Sequence, residues 1–180
     1  MATLTTHYSL AKPAIGETGY HTVFNTGMDN IDAAIWSNSL FKSGFTVSKP
    51  STSIQTVYVT SFVDVNGMSV SYSPPAGSSN VVIVFEMHMS GDVNGSRGEI
   101  QFVKNGSVYP NSRCDVAFYD WQGYKQTFLY IVPAWTGAQT LKLQTRAYTS
   151  TASIFIHSTA TYNGSISQHY VAPYVLVFSI

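Results

Sequence analysis

The stretch Val81-Val82-Ile83-Val84-Phe85-Glu86-Met87-His88-Met89 decides the fold. Read with a period of two, it puts Ile83, Phe85, Met87 and Met89 on one face and Val82, Val84, Glu86 and His88 on the other. Its β-branched and aromatic residues suit a packed, pleated surface. Similar stretches lie on both sides of it. Residues 54–65 and 68–72 precede it and are expected to be joined by a turn at Asn66-Gly67. Residues 97–104 and 108–109 follow and enclose Asn105-Gly106, a two-residue hairpin signal. Residues 114–120, 124–132, 140–148, 153–162 and 170–180 complete the series, and Pro74-Pro75-Ala76-Gly77 reads as a loop. About nine or ten strands at ~8–12-residue spacing, with no alternating helices, predict an all-β antiparallel jelly-roll sandwich.

Composition narrows the function. Charged residues are 10% of the 180, nine basic against nine acidic. An average soluble domain has roughly 25%. The formal net charge is zero, and no cluster of Lys and Arg offers a footprint for nucleic acid. No run approaches the ~18 apolar residues that span a bilayer, so membrane insertion is not expected. Residues 1–9 show neither a basic start nor an apolar segment of secretory type, so synthesis in a cytoplasm is expected. Cys114 is the single cysteine, which excludes an intrachain disulfide and reads as a small strand or core residue. Low charge with many aromatics suits a surface buried in subunit contacts.

The chain begins differently. Tyr8-Ser9-Leu10-Ala11-Lys12-Pro13-Ala14-Ile15-Gly16-Glu17-Thr18-Gly19-Tyr20 is proline-bound and glycine-punctuated, which predicts an extended arm. A short helix is expected from Asn25 or Thr26, with Asp29 and Asp32 near its positive end. Phe24, Met28, Ile31 and Ile35 fall at spacings of 4, 3 and 4, a single apolar stripe. Such a helix is too short to stand alone. A three-stranded helical bundle or packing beneath the following domain would each hold it. Residues 1–36 thus read as arm and helix, 37–53 as a linker or first edge strand, and 54–180 as the jelly-roll domain.

Two resemblances follow from these residues. The Leu10-Ala11-Lys12-Pro13 step, the Gly16 to Tyr20 turn, Asn25 and the Asp29-Asn30-Ile31-Asp32-Ala33-Ala34-Ile35 helix resemble the N-terminal anchor of tailed-bacteriophage fibre and decoration proteins. That resemblance implies virion anchoring by Tyr8, Leu10, Lys12, Pro13, Ile15, Tyr20, Phe24, Ile31 and Ile35. The end of the chain, Gln139 to Tyr148 followed by a strand and then Val171-Ala172-Pro173-Tyr174-Val175-Leu176-Val177-Phe178-Ser179-Ile180, resembles the close of trimeric tumour-necrosis-factor-like jelly rolls. This last strand is apolar on both faces. One face can cover a core, and a neighbouring subunit is the simplest cover for the other. The resemblance places the final strand near a three-fold axis, so Tyr174, Leu176, Phe178 and Ile180 are expected at a trimer interface.

Chemistry-bearing patterns are sparse. Asp115 and Asp120 lie five apart and point to opposite faces of a regular strand, a poor acid–base pair. His7, His21, His88, His157 and His169 lack metal-ligand spacing, and nucleophile elbow, phosphate loop and dinucleotide fingerprint are all missing. No enzyme, cofactor or metal is expected. Asp64-Val65-Asn66-Gly67 and Asp92-Val93-Asn94-Gly95 read either as turns or as partial calcium loops, with turn chemistry explaining both. Asn94, Asn105 and Asn163 begin sequons that turn chemistry also explains. His88 reads as a satisfied interior or interface residue. The candidate ligand stretch is Tyr119-Asp120-Trp121-Gln122 with Tyr124: aromatics beside Asp and Gln can stack on a sugar and bind its hydroxyls, or fill a subunit interface. The expected protein is a homotrimeric structural component of a bacteriophage virion, docked by its arm on the major capsid protein as decoration or cement. The alternative is a short tail fibre, docked on a tail or baseplate protein, whose knob recognises a host cell-surface glycan.

Overall fold

The structure is a computed structural model, and it describes residues 3–4, 11–12, 46–48, 51, 53–92, 95–118, 123–162 and 166–180. All regular structure among the described residues is β. The chain divides into two units, Met1–Lys42 with Ile180, and Ser43–Ser179. In the first unit β1 (Thr3–Leu4) pairs antiparallel with β2 (Ala11–Lys12). Lys12 is thus the one expected anchor residue with an assigned strand; the other eight, and the expected helix, lie outside the described residues.

The second unit begins with β3 (Thr46–Ser48), β4 (Gln55–Val57), β5 (Val63–Tyr72), β6 (Asn80–Gly91), β7 (Ser96–Lys104), β8 (Ser107–Val108) and β9 (Cys114–Phe118). It continues with β10 (Tyr124–Pro133), β11 (Gln139–Ala147), β12 (Ile154–Ile156), β13 (Ser158–Tyr162), β14 (Ile166–Tyr170) and β15 (Tyr174–Ser179). One sheet runs β10–β6–β15–β3; β12 pairs with β6 on the same side as β15, farther along the strand, and β4 pairs with β12. The other runs β5–β11–β7, with β9 and β8 sharing the far side of β7. All these pairs are antiparallel, and the two sheets stack as a sandwich of jelly-roll class. β3 pairs with β15 and ends this sheet's strand order among the described residues.

The period-two reading of β6 holds. Ile83, Phe85, Met87 and Met89 are buried and belong to one core cluster with Ile100, Phe102, Leu141 and Leu143 of the opposite sheet. Phe102 stacks on Tyr130 at 4.7 Å between ring centroids. Each such side chain contributes about 1.5–3 kcal/mol by leaving water. The hydroxyls of Tyr72 on β5 and Ser179 on β15, 2.9 Å apart and buried, tie the two sheets at one side.

Three local expectations are corrected. Asn66-Gly67 is not a turn between two strands. β5 passes straight through it, and the register against β11 slips between Lys142 and Gln144. Inward positions change parity there, from Val65 to Met68, Val70 and Tyr72, which is what a bulge does. The second correction divides residues 153–162. His157 takes φ 62°, so β12 stays in the first sheet while β13 leaves it to pair with β14. The third divides residues 170–180. Pro173 has no N–H for a ladder, and β15 starts only after it. Asn105-Gly106, by contrast, turns a hairpin with both residues at positive φ, 49° and 83°.

His157 is fully buried, and its Nε2 lies 2.6 Å from the Asn66 carbonyl. That bond assigns the ring proton to Nε2 and leaves Nδ1 buried with no partner among the described residues. Burial lowers the His157 pKa, and the Asn66 bond offsets only part of this. A depressed histidine favours folding fully above its unfolded value. Between that value and the lower folded one, only the unfolded chain takes up the proton. The melting temperature is therefore expected to fall as pH drops below 6.5, the ordinary histidine value. Asparagine at 157, which tolerates positive φ, should flatten that slope. Equal slopes for the two proteins between pH 7 and 5 would refute the assignment.

Candidate functional site

The two sheets present outward faces that differ in chemistry. On the first sheet, outward residues of β10, β6 and β15 line up in register. Leu129 is opposite Val84, which is opposite Leu176; Ile131 is opposite Val82, which is opposite Phe178. The two rows are apolar across three strands. Leu129 and Ile131 are each 59% exposed, and Leu176 and Phe178 are half-buried. β10 has β6 as its only strand partner among the described residues. Polar groups bound it: Lys125 pairs with Glu86 at 2.8 Å.

The second sheet presents a polar ladder. Its outward residues form the register rows Asp64–Gln144–Gln101 and Arg146–Glu99–Asp115. Lys142 Nζ donates to Asp64 Oδ2 at 2.7 Å, and Gln144 Nε2 donates to Asp64 Oδ1 at 2.7 Å. Gln101 Nε2 donates to Gln144 Oε1 at 2.8 Å, and Arg113 Nε donates to Gln101 Oε1 at 3.0 Å. Burial raises the Asp64 pKa, but the bonds from Lys142 and Gln144 and the Lys142 charge outweigh it, and the carboxyl sits below its usual range. In the second row two carboxylates, Glu99 and Asp115, stand directly opposite, which is unfavourable unless bridged. Arg146 Nε bonds Glu99 Oε2 at 2.7 Å, and the Tyr148 hydroxyl donates to Asp115 Oδ1 at 2.8 Å and reaches Glu99 Oε1 at 3.4 Å. These bonds hold the phenol proton, Asp115 foremost, and raise the Tyr148 pKa. The Phe62 ring lies 5.1 Å from Arg113 Cζ and 5.0 Å from Arg146 Cζ.

Between the edges β9 and β10 the sandwich leaves an open groove of about 420 Å³. Cys114 lines it. Burial, then the charge of Asp115, pushes its thiol up, so it stays protonated at neutral pH and is a poor nucleophile. Tyr130, also raised by burial, donates to the Ser112 carbonyl at 3.3 Å. The two aspartates of the Asp-Val-Asn-Gly repeats are engaged by neighbours: Asp64 by Lys142 and Gln144, Asp92 by the Ser96 hydroxyl at 3.0 Å. No group of three metal-ligating side chains occurs among the described residues. Of the interior and interface readings of His88, the interior one is not met: it is half-buried on the outward side of β6, and its Nδ1 has no hydrogen-bond partner among the described residues.

The sequence-predicted residues fall unevenly. Tyr174, Leu176 and Phe178 share the outward side of β15, with Val175, Val177 and Ser179 buried on the other. Ile180 follows the strand, half-buried. Of the candidate ligand residues, Tyr124 opens β10, 39% exposed and opposite Met89. Tyr119, Asp120, Trp121 and Gln122 lie outside the described residues. Sequence reasoning missed Leu129 and Ile131, although the apolar run Phe128 to Val132 was visible. It missed the ladder of the second sheet altogether.

The chain is an all-β protein, an antiparallel sandwich, and the comparisons with known proteins stop at that level. No protein-family model matches it, and no curated protein matches it significantly. Among solved structures it is similar to the insecticidal delta-endotoxin Cry8Ea1 from Bacillus thuringiensis, with 7% identity and TM-score 0.42, over 71% of this chain and 19% of the toxin. It is also similar to the CBM36-1 domain of a multidomain xylanase from the hindgut metagenome of Trinervitermes trinervoides, with 12% identity and TM-score 0.39, over 74% of this chain and 96% of that domain. A third is carbohydrate-binding module CBM36 in complex with calcium and xylotriose, with 14% identity and TM-score 0.35, over 75% of this chain and 99% of the module. Likenesses this distant concern the fold and carry no argument about what this chain binds.

Proposed function

We propose that the protein is a homotrimeric structural component of a bacteriophage virion, a decoration or cement protein that acts without catalysis. The observation that carries self-association is the double apolar row Leu129–Val84–Leu176 and Ile131–Val82–Phe178. Leu129 and Ile131 are too exposed to serve the core of a monomer. A second and third copy of the chain are the occupants that fit best, because the face bears few charges on a chain of zero net charge. The virion and its major capsid protein enter through residues 8–36 and their resemblance to phage anchors. Tail placement, with docking on a tail or baseplate protein, is the second reading, favoured by the exposed, immobilised Tyr148 on the other sheet.

Light scattering of the full chain at micromolar concentration should give three times the 19.7 kDa chain mass. The double variant Leu129→Glu, Ile131→Glu changes only exposed positions. It should lower the mass and leave the circular dichroism of the sandwich intact. Antibody labelling of purified particles should then find hundreds of copies on the shell. A monomeric parent chain would refute the assembly, and label confined to the tail tip would replace cement by fibre.

A further inference from the structure

We propose that the outward face of the second sheet is a binding platform for an uncharged pyranose, centred on Tyr148 and Asp115, with Arg113 one row further along. The inference is independent of where on a particle the chain sits. Tyr148 is 42% exposed, yet its hydroxyl is pinned by Asp115 and Glu99, so the ring offers a fixed aromatic face. Phe62 and the Arg146 guanidinium continue that surface, with Arg146 Cζ 5.0 Å from the Phe62 centroid and 6.0 Å from that of Tyr148. A rigid ring loses little freedom when a sugar's C–H face stacks on it.

Polar groups flank the ring in the pattern that sugar hydroxyls require. Arg113 is held at Nε by Gln101, which is only 3% exposed and is itself fixed through Gln144 to Asp64. The terminal nitrogens of Arg113 have no carboxylate partner among the described ion pairs. Asp115 accepts one bond from Tyr148, and a carboxylate has room for several more. Arg113 immediately precedes β9 and Asp115 is the second residue of that strand; both are exposed, and two extended residues span at most ~7 Å. A donor and an acceptor at that spacing suit hydroxyls on one ring, one accepting from the guanidinium and another donating to the carboxylate. The supporting residues are locked before any ligand arrives.

Charge selects against the other ligand classes. The face carries Arg97, Arg113, Lys142 and Arg146 against Asp64, Glu99 and Asp115, a surplus of one positive charge, so it exerts only a weak net pull on polyanions. A peptide cannot add as a strand to its centre, because β11 and β7 are each paired on both sides.

The test is affinity electrophoresis of the full chain through gels holding a mannan, a galactan, a β-glucan, a xylan or polygalacturonate. At least one neutral polymer should retard it, more strongly than polygalacturonate does. Tyr148→Ala should weaken that retardation at least tenfold, and Arg113→Gln severalfold, with the melting temperature held within a few degrees. Tyr124→Ala, in the other aromatic candidate, should leave it unchanged. Retardation by none of the polymers, or by polygalacturonate alone, overturns the proposal. So does loss of binding in Tyr124→Ala with binding intact in Tyr148→Ala.

Discussion

An aspartate at position 177 should leave no folded protein, whereas an aspartate at the neighbouring position 176 should leave a folded chain that no longer self-associates. Val177 is fully buried in the core cluster and pairs with Ile83 in the centre of the first sheet. A carboxylate there would have no cation or donor set to receive it, and an unpaired buried charge costs about 3–5 kcal/mol. Losing the valine's burial adds to that, against a total stability of ~5–15 kcal/mol for a domain. Leu176 points the other way, between Val84 and the register position of Val47, and is half-buried. In the proposed trimer its replacement would remove a contact between copies, and within one chain it costs a little strand propensity, within ~1 kcal/mol. Circular dichroism and light scattering on the two variants decide the matter. A folded Val177→Asp protein would mean that the two faces of β15 have been exchanged.

Gly67→Ala is expected to cost far more than Gly106→Ala, although both glycines have positive φ, 73° and 83°. The backbone conformation alone costs an alanine about 1–2 kcal/mol at either position. At Gly106 a Cβ would meet nothing within 4 Å. At Gly67 it would stand 2.6 Å from the Ser51 backbone nitrogen and 2.7 Å from Ser51 Cβ. Relieving that contact means moving the segment before β4 or opening the bulge, an overpacking cost of about 1–3 kcal/mol. Urea unfolding should therefore show a midpoint well below the parent for Gly67→Ala and only modestly below it for Gly106→Ala. Equal midpoints would show that the bulge is loosely packed.

The core was legible because one physical rule governs it. A strand buried on one face repeats every two residues, so Ile83, Phe85, Met87 and Met89 could be assigned together from their spacing. Asn105-Gly106 was legible for a related reason, since few residue pairs adopt two successive positive φ angles cheaply. The same dipeptide misled at Asn66-Gly67. Chain-local chemistry cannot distinguish a hairpin turn from a bulge; the choice is made by whether the following residues return along the same strand or continue past β11.

The sequence by itself determined the class of fold, the inward set of β6, and the two-sided apolar character of residues 174–180. Each is a property of neighbours along the chain. The tertiary structure alone decided which strands share a sheet, and with that which outward residues become neighbours. Leu129, Val84 and Leu176 are 45 or more positions apart and form one row only because β6 lies between β10 and β15. Phe62, Arg113, Arg146 and Tyr148 meet only because β5, β11, β7 and β9 lie side by side. Lateral order in a sheet is set by long-range pairing, which no local period encodes, and the surfaces available for binding follow from that order.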